Sequence, residues 1–170
     1  VLDATHPYAV EVTENIFEAC NRTDTEYKRV LRESSNTDSK AVYVESTEAA
    51  IEYLKGAEGN ILLTTGSKEL GKYTELPDYQ NRIYARVLSL ASVMETCASY
   101  GLEGKHLIGM QGPFNKEMNV AMLRQYNCAY IVTKDTGEAG GFGEKLEAAA
   151  ECGATAVVIG RPSNEDGLSV

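Results

Sequence analysis

Short apolar runs alternate with amphipathic stretches along nearly the whole of this chain, and that alternation leaves few folds open. Runs rich in Val, Ile or Tyr lie near residues 27–32, 41–44, 60–65, 82–88, 106–110, 129–133 and 155–160, and Val1-Leu2 reads as the end of one more. Helical patterns lie between them, near 9–21, 46–56, 90–101, 115–126 and 142–152, with a short one at 67–73. Strand–helix alternation of this kind is the sequence form of a parallel sheet covered by helices on both faces, so the expected class is α/β. Ser46, and Asn115 after Pro113, are side chains suited to cap the helices they precede. Leu146, Ala149 and Ala150 fall on one helical stripe, which reads as a packing face.

Residues 33–40, Glu-Ser-Ser-Asn-Thr-Asp-Ser-Lys, form a polar run with no periodicity. A domain boundary is expected there, leaving 1–40 as the trailing part of one α/β domain and 41–170 as a second, C-terminal α/β domain. The chain begins at Val1, inside an apolar strand-like segment and without an initiator methionine, so it is expected to be a piece of a longer protein. No apolar run approaches the roughly 20 residues that cross a bilayer and no signal-peptide pattern is found, which makes a cytoplasmic location the default and a membrane partner unexpected.

Net charge is −9, from 25 acidic and 16 basic side chains. That balance argues against a nucleic-acid partner, whose phosphates need a row of cations. An anionic ligand would need a local exception, and Lys68, Arg86, Lys134 and Arg161, all at strand ends, are the residues able to make one. Each is equally consistent with a solvated surface charge. Cys20, Cys97, Cys128 and Cys152 stand singly, with two histidines in the chain, so neither a metal site nor a disulfide framework is expected.

Two loops carry the strongest chemical signal. Ile131-Val132-Thr133-Lys134-Asp135-Thr136-Gly137 runs from a strand pattern into Gly140-Gly141-Phe142-Gly143, where a helix pattern starts. Ile61-Leu62-Leu63-Thr64-Thr65-Gly66-Ser67-Lys68 repeats the design. Glycines at such junctions permit positive φ and close backbone approach, so the loop N–H groups can curl around an anion at a helix start. Neither loop is a P-loop or a G-x-G-x-x-G turn, which makes a simple ATPase a poor reading. Taken singly, each is equally consistent with turns and caps; the two together favour one shared cleft.

Five segments then point to a family: Leu2-Asp3-Ala4-Thr5-His6-Pro7-Tyr8-Ala9, Leu63-Thr64-Thr65-Gly66-Ser67-Lys68, Met110-Gln111-Gly112-Pro113-Phe114, Val132-Thr133-Lys134-Asp135-Thr136-Gly137 and Gly160-Arg161-Pro162. In this order the chain resembles the precorrin-6A (cobalt-precorrin-6A) reductases of cobalamin biosynthesis. The resemblance implies Rossmann-like three-layer α/β/α architecture in two domains with a cleft between them. It also implies NADPH-dependent reduction of one double bond in a corrin-ring precursor, giving precorrin-6B or its cobalt counterpart. Family members begin with a glycine-rich loop on the first strand, similar to G-G-T-x-E, for the cofactor's phosphates. This sequence lacks it, so the piece alone is expected to be inactive.

By the same resemblance His6 and Lys134 are expected in catalysis, and Thr64, Thr65, Gly66, Ser67 and Lys68 in cofactor binding. Asp3, Thr5, Gln111, Gly112, Lys134, Asp135, Gly140, Gly141 and Arg161 are expected to bind the tetrapyrrole, with no metal site. Fusion to other cobalamin-pathway enzymes is the protein partnership the resemblance allows. The competing reading is a non-catalytic tetrapyrrole- or anion-binding α/β module of a larger fused enzyme.

Overall fold

The computed structural model describes residues 1–5, 10–31, 41–136, 140–160 and 168–169. In chain order the elements are β1 (Leu2–Asp3), α1 (Val10–Arg22), β2 (Lys28–Leu31), β3 (Val42–Val44), α2 (Thr47–Lys55), β4 (Asn60–Leu63), α3 (Tyr79–Arg82), β5 (Ile83–Val87) and α4 (Ala91–Ser99). They continue with β6 (Leu107–Gly109), α5 (Lys116–Gln125), β7 (Cys128–Lys134), α6 (Phe142–Cys152), β8 (Thr155–Ile159) and β9 (Leu168–Ser169).

Ser46 caps α2 by accepting from the Ala49 amide at 3.1 Å, and Asn115 caps α5 by accepting from Met118 at 3.0 Å. These bonds satisfy amides that a helix start would otherwise leave open. The short helix expected at 67–73 forms as a 3-10 turn over Leu70–Glu75. Helix α3, the 3-10 turn at Gly104–His106 and strand β9 were not anticipated, because three or four residues, or two, are too few to show a period.

Strands β3, β8, β7, β4, β5 and β6 lie side by side in that order, all parallel. A second sheet has the order β1-β2-β9, also parallel, so residues 168–169 pair with β2. The six-stranded sheet is apolar on both faces. Ile61, Leu63, Ile83, Val132 and Val157 pack toward Ala50, Ile51 and Leu54 of α2. Leu62, Tyr84, Ile131, Ala156 and Val158 point the other way, toward Val120 and Leu123 of α5 and Phe142, Leu146 and Ala149 of α6. Alternation of side chains along each strand produces this division.

From β4 the chain steps outward to β5 and β6, returns to the far side of β4 as β7, and steps on to β8. Because parallel crossovers are right-handed, the two directions of travel place their helices on opposite faces. The loops after β4 and β7 therefore leave a crevice between adjacent strands, the position where open α/β sheets bind ligands.

Candidate functional site

A cleft of about 290 Å³ opens at this crevice. Thr64 and Gly66 enter it from the loop after β4, Arg86 and Leu88 from β5 and its end, Met110, Gly112 and Phe114 from the loop after β6, and Gly140 and Lys145 from the start of α6. The two glycine loops singled out in the sequence thus meet on neighbouring strands. Gly66 has φ of 82° and Gly141, which caps α6, has φ of 65°, so both occupy the left-handed region that glycine alone enters freely. A side chain on Gly140 would collide with the Thr136 hydroxyl, which is buried and has no hydrogen-bond partner among the described residues.

Two cations form the polar part of the cleft. Arg86 lies near the end of β5, one strand in from the β6 edge, with 6% of its surface exposed, and Lys145 on the inner stripe of α6 with 7%. One guanidinium nitrogen of Arg86 donates to Asn119 Oδ1 at 2.9 Å and to Met122 Sδ at 3.4 Å, and the group lies 4.0 Å above the Phe114 ring. Asn119, fully buried on α5, is held in turn through its amide to the Asn115 carbonyl at 2.9 Å. Lys145 Nζ donates to the Gly140 carbonyl at 3.0 Å. Neither cation forms an ion pair among the described residues. Burial alone pushes Arg86 down to about 10. Burial and then the Arg86 charge push Lys145 down to about 8, with Glu144 opposing. Both shifts have the sign expected when a cation is dehydrated without a counter-charge.

Of the residues expected in the site, Thr64, Gly66, Gly112 and Gly140 line the cleft, and the remaining described ones are not among its lining residues. Lys134 does not line the cleft: one residue beyond Thr133, it projects to the α2 side of the sheet and pairs with Glu69 Oε2 at 2.9 Å. Glu69 also accepts from Thr47 at 3.0 Å and Lys72 at 3.0 Å. Burial would raise Glu69, but the bonds from Lys134, Lys72 and Thr47 outweigh it and hold it near 2. Asp135 is buried, with its amide on the Ile159 carbonyl at 3.1 Å. Thr64 spends its hydroxyl proton on the Val132 carbonyl at 2.7 Å. Gln111 and Lys68 are exposed, and Thr65 and Ser67 half-buried. His6 and Arg161 lie outside the described residues.

Asp3 and Thr5 belong to the other sheet. Asp3, 2% exposed, meets Arg29 at 2.9 Å, the Tyr27 hydroxyl at 2.8 Å and the Thr5 amide at 3.0 Å. The Thr5 hydroxyl accepts from Arg29 at 2.8 Å. Burial would raise the Asp3 carboxyl, but these hydrogen bonds and the Arg29 charge hold it at about 2.

Lys145 and Asn119 carried no role in the sequence reading. The signal for Lys145 was present: it shares a stripe with Phe142, Leu146 and Ala149, an odd position for a lysine on an amphipathic helix. Asn119 had no such signal, because its importance comes from contact with a strand 33 residues away.

Fold and cleft together define an α/β protein with an anion-suited crevice at the strand ends. The whole chain, residues 1–170, matches the family described as precorrin-6x reductase CbiJ/CobK, and it belongs to that family. It is 40% identical over 170 residues to cobalt-precorrin-6A reductase of Priestia megaterium, covering 98% of this chain and 67% of that protein. A protein of the same name from Methanothermobacter thermautotrophicus is 37% identical over 174 residues, covering 100% and 57%. A solved structure of CobK precorrin-6A reductase superposes with a TM-score of 0.75 over 100% of this chain and 67% of that one at 23% identity, which shows the shared fold. The chain thus spans between 57% and 67% of the length of these relatives.

Proposed function

We propose that the chain serves the reaction for which its relatives are named, reduction of a ring double bond in a precorrin-6A-type macrocycle, with NADPH as reductant. The observation that carries the reading is the cleft at the β4/β7 crevice, set in a chain that matches the reductase family from end to end. Both ligands are polyanions, one through carboxylates and the other through phosphates, and among the described residues the charged groups lining the cleft are the cations Arg86 and Lys145. A bound nicotinamide would supply the hydride.

The protein's part is to hold, orient and shield. Backbone amides of the loops after β4 and β7 suit anionic groups. Leu88, Met110 and Phe114 offer apolar wall to the flat face of a macrocycle. A proton must reach the carbon next to the one that takes hydride, and His6 is the group that would carry it. The division into a unit at 1–40 and a unit at 41–170 belongs to the same reading, with β9 contributing two residues to the first unit's sheet.

Calorimetric titration of NADPH into the 170-residue chain, and into a form extended upstream to its relatives' length, tests the proposal alongside substrate-dependent oxidation of the nicotinamide. Binding by either form together with turnover by the longer one is expected. Binding by neither would return the chain to the reading of a non-catalytic anion-binding module.

A further inference from the structure

The loop after β4 is anchored at both ends. At its start Thr64 gives its amide and its hydroxyl to the Val132 carbonyl, at 2.9 and 2.7 Å. At its far end Glu69 is held from three sides, by Lys134 at 2.9 Å, Lys72 at 3.0 Å and the Thr47 hydroxyl at 3.0 Å. Between these anchors Gly66 has φ of 82° and open space where a side chain would stand. Adjoining this stretch is Tyr73, from the 3-10 turn at Leu70–Glu75, fully buried in the core between the sheet and α2. Its hydroxyl has no hydrogen-bond partner among the described residues, and neither has the buried hydroxyl of Thr65. The two groups are neighbours: burial pushes the Tyr73 phenol up, the Thr65 and Thr47 hydroxyls beside it oppose that, and the Glu69 charge adds to it. Thr47 already gives its proton to Glu69, which leaves Thr65 as the neighbour with an uncommitted hydroxyl. An unpaired buried hydroxyl is costly, and phenylalanine would fill the same space without that cost.

Deepening the reading in which Thr64, Thr65, Gly66, Ser67 and Lys68 hold the cofactor, we infer that Tyr73 is a positioning residue for that loop, its hydroxyl bonding the Thr65 hydroxyl when NADPH is seated and fixing the loop in its bound shape. Each hydroxyl is both donor and acceptor, so either supplies the proton. The bond is made at the expense of no other, because neither group has a partner to give up. With Thr64 and Glu69 held, the adjustment that makes it is confined to residues 65–68. Tyr73 is fully buried and acts through Thr65, whose neighbours Thr64 and Gly66 line the cleft.

The test measures NADPH affinity by calorimetry, and melting without ligand, for wild type, Tyr73→Phe, Thr65→Val, the double variant and Thr65→Ser, in the 170-residue chain and in its upstream-extended form. The tetrapyrrole polycarboxylate uroporphyrin is the comparison probe. Tyr73→Phe and Thr65→Val should each weaken NADPH about fivefold, the weight of one neutral hydrogen bond, and the double variant no more than that, because both remove the same bond. Thr65→Ser, which keeps the hydroxyl, should bind within about twofold of wild type. Uroporphyrin affinity should not change, and ligand-free Tyr73→Phe should melt no lower than wild type. A lower melting temperature with NADPH affinity kept would mean that the two hydroxyls share an internal water and serve the fold alone, which overturns the proposal. Losses that multiply in the double variant, equal losses for uroporphyrin, or wild type that binds no NADPH at either length overturn it as well. Turnover is read separately: coupled losses of affinity without substrate-dependent oxidation of the nicotinamide keep the positioning role and discard the reductase reading. Full turnover by wild type with NADPH affinity unchanged in Tyr73→Phe discards the positioning role alone.

Discussion

Two clusters of buried charge, one in each sheet, answer the same problem in opposite ways. Around Asp3 the charge is closed: Arg29, Tyr27 and the Thr5 amide supply donors to both carboxylate oxygens. Around Arg86 and Lys145 it is open, because the acceptors are neutral and no described carboxylate pairs with either cation. A closed cluster orders the chain that makes it, whereas an open one is stable only as far as the surrounding core tolerates it and gains most when an anion arrives. The difference is one of compensation: the donors around Asp3 are matched within the fold, whereas the cations of the cleft meet neutral acceptors. Substrate binding by Asp3 would require its existing donors to be given up.

The sharpest way to break the comparison is to open the closed cluster. Asp3→Asn removes the carboxylate that Arg29, Tyr27 and the Thr5 amide all meet and should lower stability by about 3 to 5 kcal/mol in denaturant unfolding. A loss under about 1 kcal/mol would mean that the cluster is not closed in solution. The carboxyl is depressed to about 2 in the folded protein, so its contribution is complete above the unfolded value near 4 and disappears as pH falls through about 2.

Lys145 should behave with the opposite sign. Its folded pKa, about 8, lies below the ordinary lysine value of 10.5, so the unfolded chain binds more protons between those limits and stability rises with pH across them. At about 1.4 kcal/mol per pKa unit the rise is at most about 3 kcal/mol. Lys145→Met should abolish that rise while leaving stability at pH 7 equal or higher; a flat wild-type profile from pH 8 to 10.5 would show the amine to be solvated.

A backbone effect comes next. Gly141 sits at φ of 65°, and Gly141→Val should cost about 1 to 2 kcal/mol because a β-branched residue is strained there. Unchanged melting of the variant would show that the cap before α6 needs no left-handed residue.

The smallest effect is expected from Lys134→Ala. Its side chain and that of Glu69 are 20% and 29% exposed, so loss of the pair should cost no more than about 1 kcal/mol. Affinity for NADPH and uroporphyrin should stay within about twofold, well below one tenfold step of 1.4 kcal/mol. A tenfold loss would restore the ligand role expected from its loop and extend the site to the α2 face.

Much of the fold was legible because its cause is local. The period of apolar residues marks the strands of the large sheet and its longer helices, and Ser46 and Asn115 cap the helices they were expected to cap. The glycine loops after β4 and β7 were also legible as loops that share one cleft, and the cleft does open between them. Lys134 shows where local reading stops. Its place in a glycine-rich loop made it the natural ligand contact, yet alternation along β7 turns it to the opposite face from Arg86. Lys145 shows the converse, a residue that looked like part of a helix and lines the cleft.

The sequence by itself determined the α/β class, the element positions, the loops able to approach an anion and the family to which the chain belongs, since period, glycine placement and motif order are all properties of the linear chain. The tertiary structure alone decided which charges are compensated. Whether a buried lysine is a structural ion pair or an open binding group depends on what lies within a few ångströms of it, and here those neighbours come from strands and helices far apart in sequence: Asp3 with Arg29, Lys134 with Glu69, and Arg86 with Asn119.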